Sequence, residues 1–439
     1  MVENYDEALS FIHGRTKFKK SEKSDHLNRM RKFMALLGDP QKDLSAIHVA
    51  GTNGKGSTVA YLRDLLMSQG YTVGTFTSPF LVRFNERISV DGKPISDDDL
   101  VDLVNRVQPV VADLDAHYPE GGPTEFEIIT AMMFLYFKTQ VDVAVVEVGI
   151  GGLLDSTNVF TPAVSVITTI GFDHMKLLGN TLPEIAAQKA GIIKPNVPVV
   201  AGRLPDSAMQ VMIQTAKVNH SQLYRLGHEA VTTIKPAAGW QEKFDYRFKD
   251  NHFKGLKISM LGDYQVDNAS CALTAFILYQ EQTHQLINQS DIAQSLAKTV
   301  WAGRFEPINQ EPLIVIDGAH NEPAFEELTA LLKQRFSQTE IYVLMGILAD
   351  KQHDKMLATL RTVPNLHVIL TTFQGPGTRA VTDPEKLAAQ YQDDDRIEVI
   401  DNWQLAIGAI SQRMSADDLF LITGSLYFIS DVRAFFKAS

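Results

Sequence analysis

Ala46-Ile47-His48-Val49-Ala50 followed by Gly51-Thr52-Asn53-Gly54-Lys55-Gly56-Ser57-Thr58 decides how this chain is read. The first five residues form an apolar run of strand length. Residues 57–69 carry helical periodicity, and Gly70 is a C′ stop. The turn between them holds glycines, a lysine and hydroxyls. Glycines let backbone N–H groups turn inward around phosphate oxygens, and the helix N-terminus adds partial positive charge. Lys55 can reach terminal phosphates, and Ser57, one turn into the helix, can touch phosphate or Mg²⁺. The pattern departs from G-x-x-x-x-G-K-[ST]: Gly56 stands between lysine and hydroxyl, and the spacing from Gly51 is shorter. A glycine turn without ligand is the alternative, but a lysine and a hydroxyl after a buried strand favour a nucleotide site.

Outward from this turn the chain alternates short apolar runs with helical patterns. Strands are expected at 72–76, 141–148, 163–170 and 197–201, with an apolar helix at 126–137. Such alternation predicts a parallel sheet with right-handed crossovers. Near Leu204 the character changes. Residues 244–248 and 256–261 alternate with period two around Asp250-Asn251, which predicts an antiparallel hairpin appended to the first domain, and a helix follows over 268–280. After Trp301 the α/β rhythm restarts, with strands expected at 313–317, 341–346, 367–372 and 419–423. The fold class is therefore α/β: a P-loop-type parallel-sheet ATPase domain with a small antiparallel β appendage, over residues 1–297, then a smaller Rossmann-like α/β domain over 298–439.

Composition agrees. The 439 residues are 45% hydrophobic and 21% charged, which suits a globular chain with a sizeable core. A net charge of −11 argues against general binding to nucleic acid or an anionic membrane. A single cysteine, Cys271, makes no intramolecular disulfide and points to a reducing compartment. No run of 18 apolar residues suggests a membrane span, and the N-terminal residues carry no signal-peptide pattern, so a cytoplasmic protein is expected.

In open α/β sheets, ligands sit beyond the carboxyl ends of the strands. Glu147 ends the run VDVAVVEV, ahead of Gly149-Ile150-Gly151-Gly152, and Asp173-His174 follows VSVITTI. A carboxylate in such an apolar run is costly unless paired or metal-bound, so Glu147 and His174 are candidate Mg²⁺ ligands. Histidine by itself as often satisfies a core hydrogen bond. Lys189, near a helix C-terminus, reads from physics alone as a solvated complement to the helix dipole. In the second domain Asp317 and His320 sit at a strand-to-helix turn, where Asp317 serves equally well as an N-cap. Thr423-Gly424-Ser425 ends another strand and is a possible small-anion site. Arg304 can reach a nucleotide or simply decorate a hinge surface. The fingerprint G-x-G-x-x-G is absent from this domain, which disfavours a nicotinamide cofactor. Together the pieces imply an NTP·Mg²⁺ site facing a second α/β domain, and hence ATP-driven group transfer.

The run from His48 to Ser57 resembles the phosphate loop of the Mur ligase superfamily. Further segments resemble its folate branch, the folylpolyglutamate synthases. These are Thr77-Ser78-Pro79-Phe80 with 83–88, 147–152, Asp155-Ser156-Thr157-Asn158, Asp173-His174, 177–179, 189–193, 317–321 and 423–427. They occur in the expected order from about Tyr5 to Val432. The resemblance implies that ATP phosphorylates a folate-linked carboxylate and that the amine of L-glutamate then displaces phosphate. It assigns the phosphates to Gly51, Thr52, Asn53, Gly54, Lys55, Gly56, Ser57 and Thr58. It assigns Mg²⁺, expected as two ions, to Ser57, Ser78, Glu147, His174 and Lys189. Lys189 matches a lysine that is carbamylated in this family, which changes the bland reading of that lysine into a functional one. Asn268, Arg304 and Asp317 match nucleotide contacts, His320 lies near nucleotide and glutamate, and Ser425 is a candidate for the incoming glutamate. Residues 149–158 and 80–87 match regions near the folate. His320 or Asp317 is offered as acceptor of the amine proton. A monovalent cation is compatible with the family. The expected partners are folate, L-glutamate and ATP only, with no nucleic acid, no membrane, and a monomeric chain. Dihydrofolate synthesis, alone or in addition, is the alternative. A Mur-type ligase acting on a nucleotide-linked sugar peptide and a non-catalytic P-loop switch are less favoured.

Overall fold

The computed structural model describes residues 1–15, 25–119, 121–377 and 379–438. The apolar runs become the middle of a sheet. Its strands are β1 (Ala46–Ala50), β2 (Val73–Phe76), β3 (Ile88–Val90), β4 (Lys93–Pro94), β5 (Val143–Glu147), β6 (Val164–Ile167), β7 (Val199–Ala201) and β8 (Leu223–Arg225). Their order is β4-β3-β2-β5-β1-β6-β7-β8. Strands β2, β5, β1, β6, β7 and β8 run parallel, while β3 is antiparallel to β2 and β4. Every residue of β1, β2, β5 and β6 is buried, as a sheet covered on both faces requires. One apolar cluster gathers Phe33, Phe76, Phe134, Phe137 and Val146. A second gathers Ala50, Ile167, Ile185 and Ile192.

Several helices of this unit begin at sequence-coded caps. Thr124 and Glu127 form a capping box at the start of Glu125–Gln140, and Thr181 and Glu184 do so for Leu182–Ala190. Glu127 also receives Arg29 from the helix Asp25–Leu36, at 2.8 Å, with both side chains essentially sealed from water. The helix expected at 268–280 runs from Asp263 to Gln282.

The appendage differs from expectation. Strand β9 (Ala230–Lys235) joins β10 (Glu242–Phe248) and β11 (Asn251–Ile258), giving a three-stranded sheet in place of a two-stranded hairpin. The second α/β sheet has six strands where four were expected. These are β12 (Glu306–Asn309), β13 (Leu313–Ile316), β14 (Ile341–Met345), β15 (Leu366–Thr372), β16 (Ile397–Asn402) and β17 (Leu419–Thr423), in the order β12-β13-β17-β14-β15-β16. All are parallel except the edge strand β12. Its core gathers Val315, Phe325, Leu332, Val343 and Leu421. Two compact units result. The first comprises 1–237, 243–258 and 266–299, and the second comprises 238–242, 259–265 and 300–439.

Candidate active site

Strand register assembles the site of the first unit. β1 lies between β5 and β6, with Val49 opposite both Glu147 and Val166. The three chains that leave the carboxyl ends of these strands therefore emerge side by side. They are the phosphate loop, the glycine loop 149–158, and the segment from Thr168 to His174.

The phosphate loop is strapped to the last of these. The N–H of Thr52 donates to the carbonyl of Thr169 at 2.8 Å, and the N–H of Asn53 to Thr169 Oγ1 at 2.9 Å. Thr168 Oγ1 and Thr169 Oγ1 donate to the Asn53 carbonyl at 2.6 and 3.0 Å. Thr52 Oγ1 donates to the Gly171 carbonyl and accepts from the Gly171 N–H. Gly54 is the N-cap of the helix Lys55–Met67 with φ +83°, and no side chain caps that helix. A Cβ at Gly54 would lie 2.2 Å from Asn268 Oδ1. Both the left-handed backbone and the close approach of Asn268 therefore require glycine there. An uncapped N-terminus behind a glycine turn is an anion site.

Two lysines converge on this loop. Lys55 Nζ donates to the carbonyls of Gly51 and Thr52 at 3.1 and 3.2 Å and lies 3.9 Å from Glu147 Oε1. Lys189 Nζ donates to the Gly51 carbonyl at 2.9 Å. Lys189 is only 4% exposed, so the solvated reading of this side chain is overturned. Burial, aided by the charge of Lys55, lowers its ammonium pKa to about 7. The buried carboxylate of Glu147 accepts the Ser78 N–H at 3.3 Å. Ser57 is buried in the first turn of the phosphate-loop helix. His174 sits at a left-handed position, φ +50°, its Nε2 3.9 Å from Asp173 Oδ2, with its side chain 40% exposed. Among the described residues, no three His, Cys, Asp or Glu side chains gather into a metal cage. The donors at hand are one buried carboxylate and nearby hydroxyls. That set fits Mg²⁺, which takes few protein oxygens and keeps its waters.

The second unit brings its candidates together as well. Asp317 does not cap a helix; Asn321 caps Glu322–Arg335. Instead the Asp317 carboxylate accepts the N–H groups of Phe305 and Ala319, each at 2.8 Å. Burial pushes its pKa up, and Arg304 opposes the shift. His320 Nδ1 lies 2.8 Å from the Gly318 carbonyl. A Cβ on Gly318 would lie 3.0 Å from Arg304 Nη1, so Arg304 reaches the turn that carries Asp317 and His320. Ser425 is buried at the end of β17, its Oγ accepting the Tyr427 N–H.

Residue reading alone passed over Thr168 and Thr169, whose hydroxyls pin the phosphate loop. Adjacent threonines at a strand end were the available signal. Thr157 was likewise quoted only as part of a motif.

Residues 49–276 match the Mur ligase middle domain, and residues 303–426 match the Mur ligase glutamate ligase domain. The chain belongs to the folylpolyglutamate synthase family of Mur ligases. It is 40% identical to the dihydrofolate synthase/folylpolyglutamate synthase of Bacillus subtilis, over 99% of each chain. It is 42% identical to the folylpolyglutamate synthase of Lacticaseibacillus casei, over 98% of each. Among solved structures, a folylpolyglutamate synthase in complex with AMPPCP and folate superposes with a TM-score of 0.87 at 40% identity, covering 99% of each chain. The Mycobacterium tuberculosis folylpolyglutamate synthase complexed with ADP superposes with a TM-score of 0.89 at 29% identity, covering 98% of each. Members of this ligase family are ATP-dependent, and the parallel-sheet unit followed by a second α/β unit is the family's architecture.

Proposed function

We propose that the chain adds L-glutamate to the glutamyl carboxylate of a tetrahydrofolate, with ATP as the driving substrate. The observation that carries this is the convergence of Lys55 and Lys189 on an uncapped, glycine-built phosphate loop, beside the buried carboxylate of Glu147. A carboxylate is a poor electrophile. Its oxygen attacks the γ-phosphorus, the bond to ADP breaks, and the acyl phosphate formed has a good leaving group. The glutamate amine then attacks the acyl carbon, phosphate departs and the amine loses a proton. Lys55 neutralises charge growing on the transferring group, and amides of the turn and of the first turn of the helix Lys55–Met67 hold the phosphates; the expected set is narrowed at Thr52, Asn53 and Thr58, whose N–H groups are committed to Thr169 and to the Gly54 carbonyl. Mg²⁺, held by Ser57, Ser78, Glu147 and His174, would supply further charge neutralisation. Residues 80–87 and 149–158 line the folate side.

Lys189 is read as a carbamate. Its buried amine, lowered to about 7, is substantially neutral at neutral pH, and the neutral amine is the form that adds CO₂ with loss of a proton. The resulting anion is a metal ligand, whereas a lysine cation is not. In the second unit, Arg304 and Asp317, like Asn268 in the first, are read as nucleotide contacts. Ser425 is read as a glutamate contact and His320 or Asp317 as the acceptor of the amine proton. A cytoplasmic monomer is the form in which this chemistry is expected.

Dihydrofolate synthesis is the second reading, favoured by relatives whose names carry both activities. One experiment separates them. Purified protein is incubated with ATP, Mg²⁺, L-glutamate and either tetrahydrofolate or dihydropteroate, with and without K⁺. ADP and the mass of the product are then measured. A glutamyl adduct only of tetrahydrofolate gives the first reading, and adducts of both give a bifunctional enzyme. ADP release independent of glutamate and of pterin sinks both.

A further inference from the structure

We infer that His48, inside β1, is a positioning residue that holds the glycine loop 149–158 in register through Thr157 and Asp155. The inference rests on the reading above only in assigning that loop to the folate side.

His48 is fully buried, three residues before Gly51. Its Nε2 lies 2.9 Å from Thr157 Oγ1. The Thr157 hydroxyl lies 2.5 Å from Asp155 Oδ1, which also accepts the Thr157 N–H at 3.0 Å, while Asp155 Oδ2 accepts the Ile150 N–H at 2.9 Å. A hydroxyl has one proton. The carboxylate takes it, so the imidazole must donate from Nε2, and the direction of the relay is set. The other nitrogen, Nδ1, is then a bare acceptor, and it has no hydrogen-bond partner among the described residues. A core position needs no imidazole, because an aliphatic side chain would fill the same space without a stranded acceptor. Burying a group that leaves one nitrogen unsatisfied is costly. The single bond to Thr157 is what that cost retains.

The far side of the loop shows what the bond holds. The Leu153 N–H donates to the Gln188 carbonyl at 2.7 Å. A Cβ on Gly152 would sit 2.9 Å from the carbonyl oxygens of both Gln188 and Lys189. Lys189 returns to the Gly51 carbonyl. The loop is thus fastened at one end to β1 through His48. In its middle, through Gly152 and Leu153, and again at Asn158, whose side-chain amide donates to the Gly191 carbonyl at 3.1 Å, it is fastened to the helix end whose lysine grips the turn leaving β1. Releasing His48 opens this circuit on the loop side and leaves the phosphate-loop straps of Thr168 and Thr169 in place.

The test uses the intact protein with His48→Leu, His48→Gln, Thr157→Val, Thr157→Ser and the double variant H48L/T157V. Losing a hydrogen bond in a chain that ends on a charged group is expected to raise KM for folate about tenfold in H48L and in T157V. KM for ATP should stay as in the parent, and the double variant should be no worse than either single one. Gln and Ser, which keep the donor and the hydroxyl, should restore folate KM. Amide hydrogen exchange should quicken over residues 149–158 and stay unchanged over 51–58. An H48L protein with parental folate KM and parental exchange in the loop overturns the inference, as do effects additive with T157V or shared equally by ATP. Should the parent form no folate product, the functional reading falls while the exchange comparison still decides the relay. If H48L does not fold, T157V carries the same comparison from the loop side.

Discussion

At the residue scale the two lysines separate by environment. Lys55 keeps some contact with solvent and bonds the carbonyls of the turn proposed to cradle phosphate, so Lys55→Ala should lower kcat by about 100-fold, the scale seen when one preorganised charge-stabilising group is removed. Glutamate-dependent ADP release reads this directly, and a parental kcat would retire the phosphate-loop argument. Lys189 is sealed in, and its reading as a carbamate has its own signature. Lys189→Ala should be severely impaired and partly rescued by formate or acetate. The parent enzyme should slow in CO₂-free buffer and recover with bicarbonate. An alanine variant of full activity would remove the carbamate. Lys189 also shows the limit of residue reading. A lysine in the last turn of a helix is usually solvated, and nothing within nine residues of helix says that this end is buried under the glycine loop. Glu147, by contrast, was legible, because an acid closing a wholly apolar strand declares its own desolvation cost.

At the scale of elements, the phosphate-loop helix depends on Gly54. Gly54→Ala places a side chain at φ +83° and drives its Cβ into Asn268. A cost of about 1–3 kcal/mol is expected from the backbone alone, together with weaker nucleotide binding. Thermal unfolding and ADP titration measure the two effects, and unchanged values for both would mean that the turn tolerates a side chain. The helices Asp25–Leu36 and Glu125–Gln140 are joined by the Arg29–Glu127 pair. Arg29→Leu strands a buried carboxylate and should cost about 3–5 kcal/mol in urea unfolding, of which R29L/E127Q should recover a large part. If the single and double variants are equally unstable, the pair is packing and not charge. Most strands that sequence reading missed share one trait. β4, β8, β9, β12 and β16 each lie at the edge of a sheet, and most of their residues are only half-buried or exposed, whereas β3, inside its sheet, has only three residues. An edge strand has no need of a continuous apolar run, so its residues do not stand out from a loop. The central strands of both parallel sheets, buried on both faces, were placed correctly, with bounds off by up to three residues.

At the scale of the whole molecule, nucleotide binding should be visible as stability. A non-hydrolysable ATP analogue at 100 times its Kd adds about 2.7 kcal/mol to the folded state if it binds no unfolded chain. The melting transition should therefore rise by several degrees in parent enzyme and by much less in Lys55→Ala. An equal rise in both would place the nucleotide elsewhere.

The amino-acid order alone determined the alternation of strand and helix, the glycine turn with its lysine and hydroxyl, and the acid at the end of the fifth strand. These are local signals, carried by periodicity, by side-chain size and by the penalty on a charge in an apolar run. Tertiary structure alone decided which strand ends are neighbours. Placing β1 between β5 and β6 puts Val49 beside Glu147 and Val166, and folding of the chain carries Lys189 to a carbonyl 138 residues away. Strand register is set by pairing across long stretches of chain, a long-range choice that no short window of residues encodes.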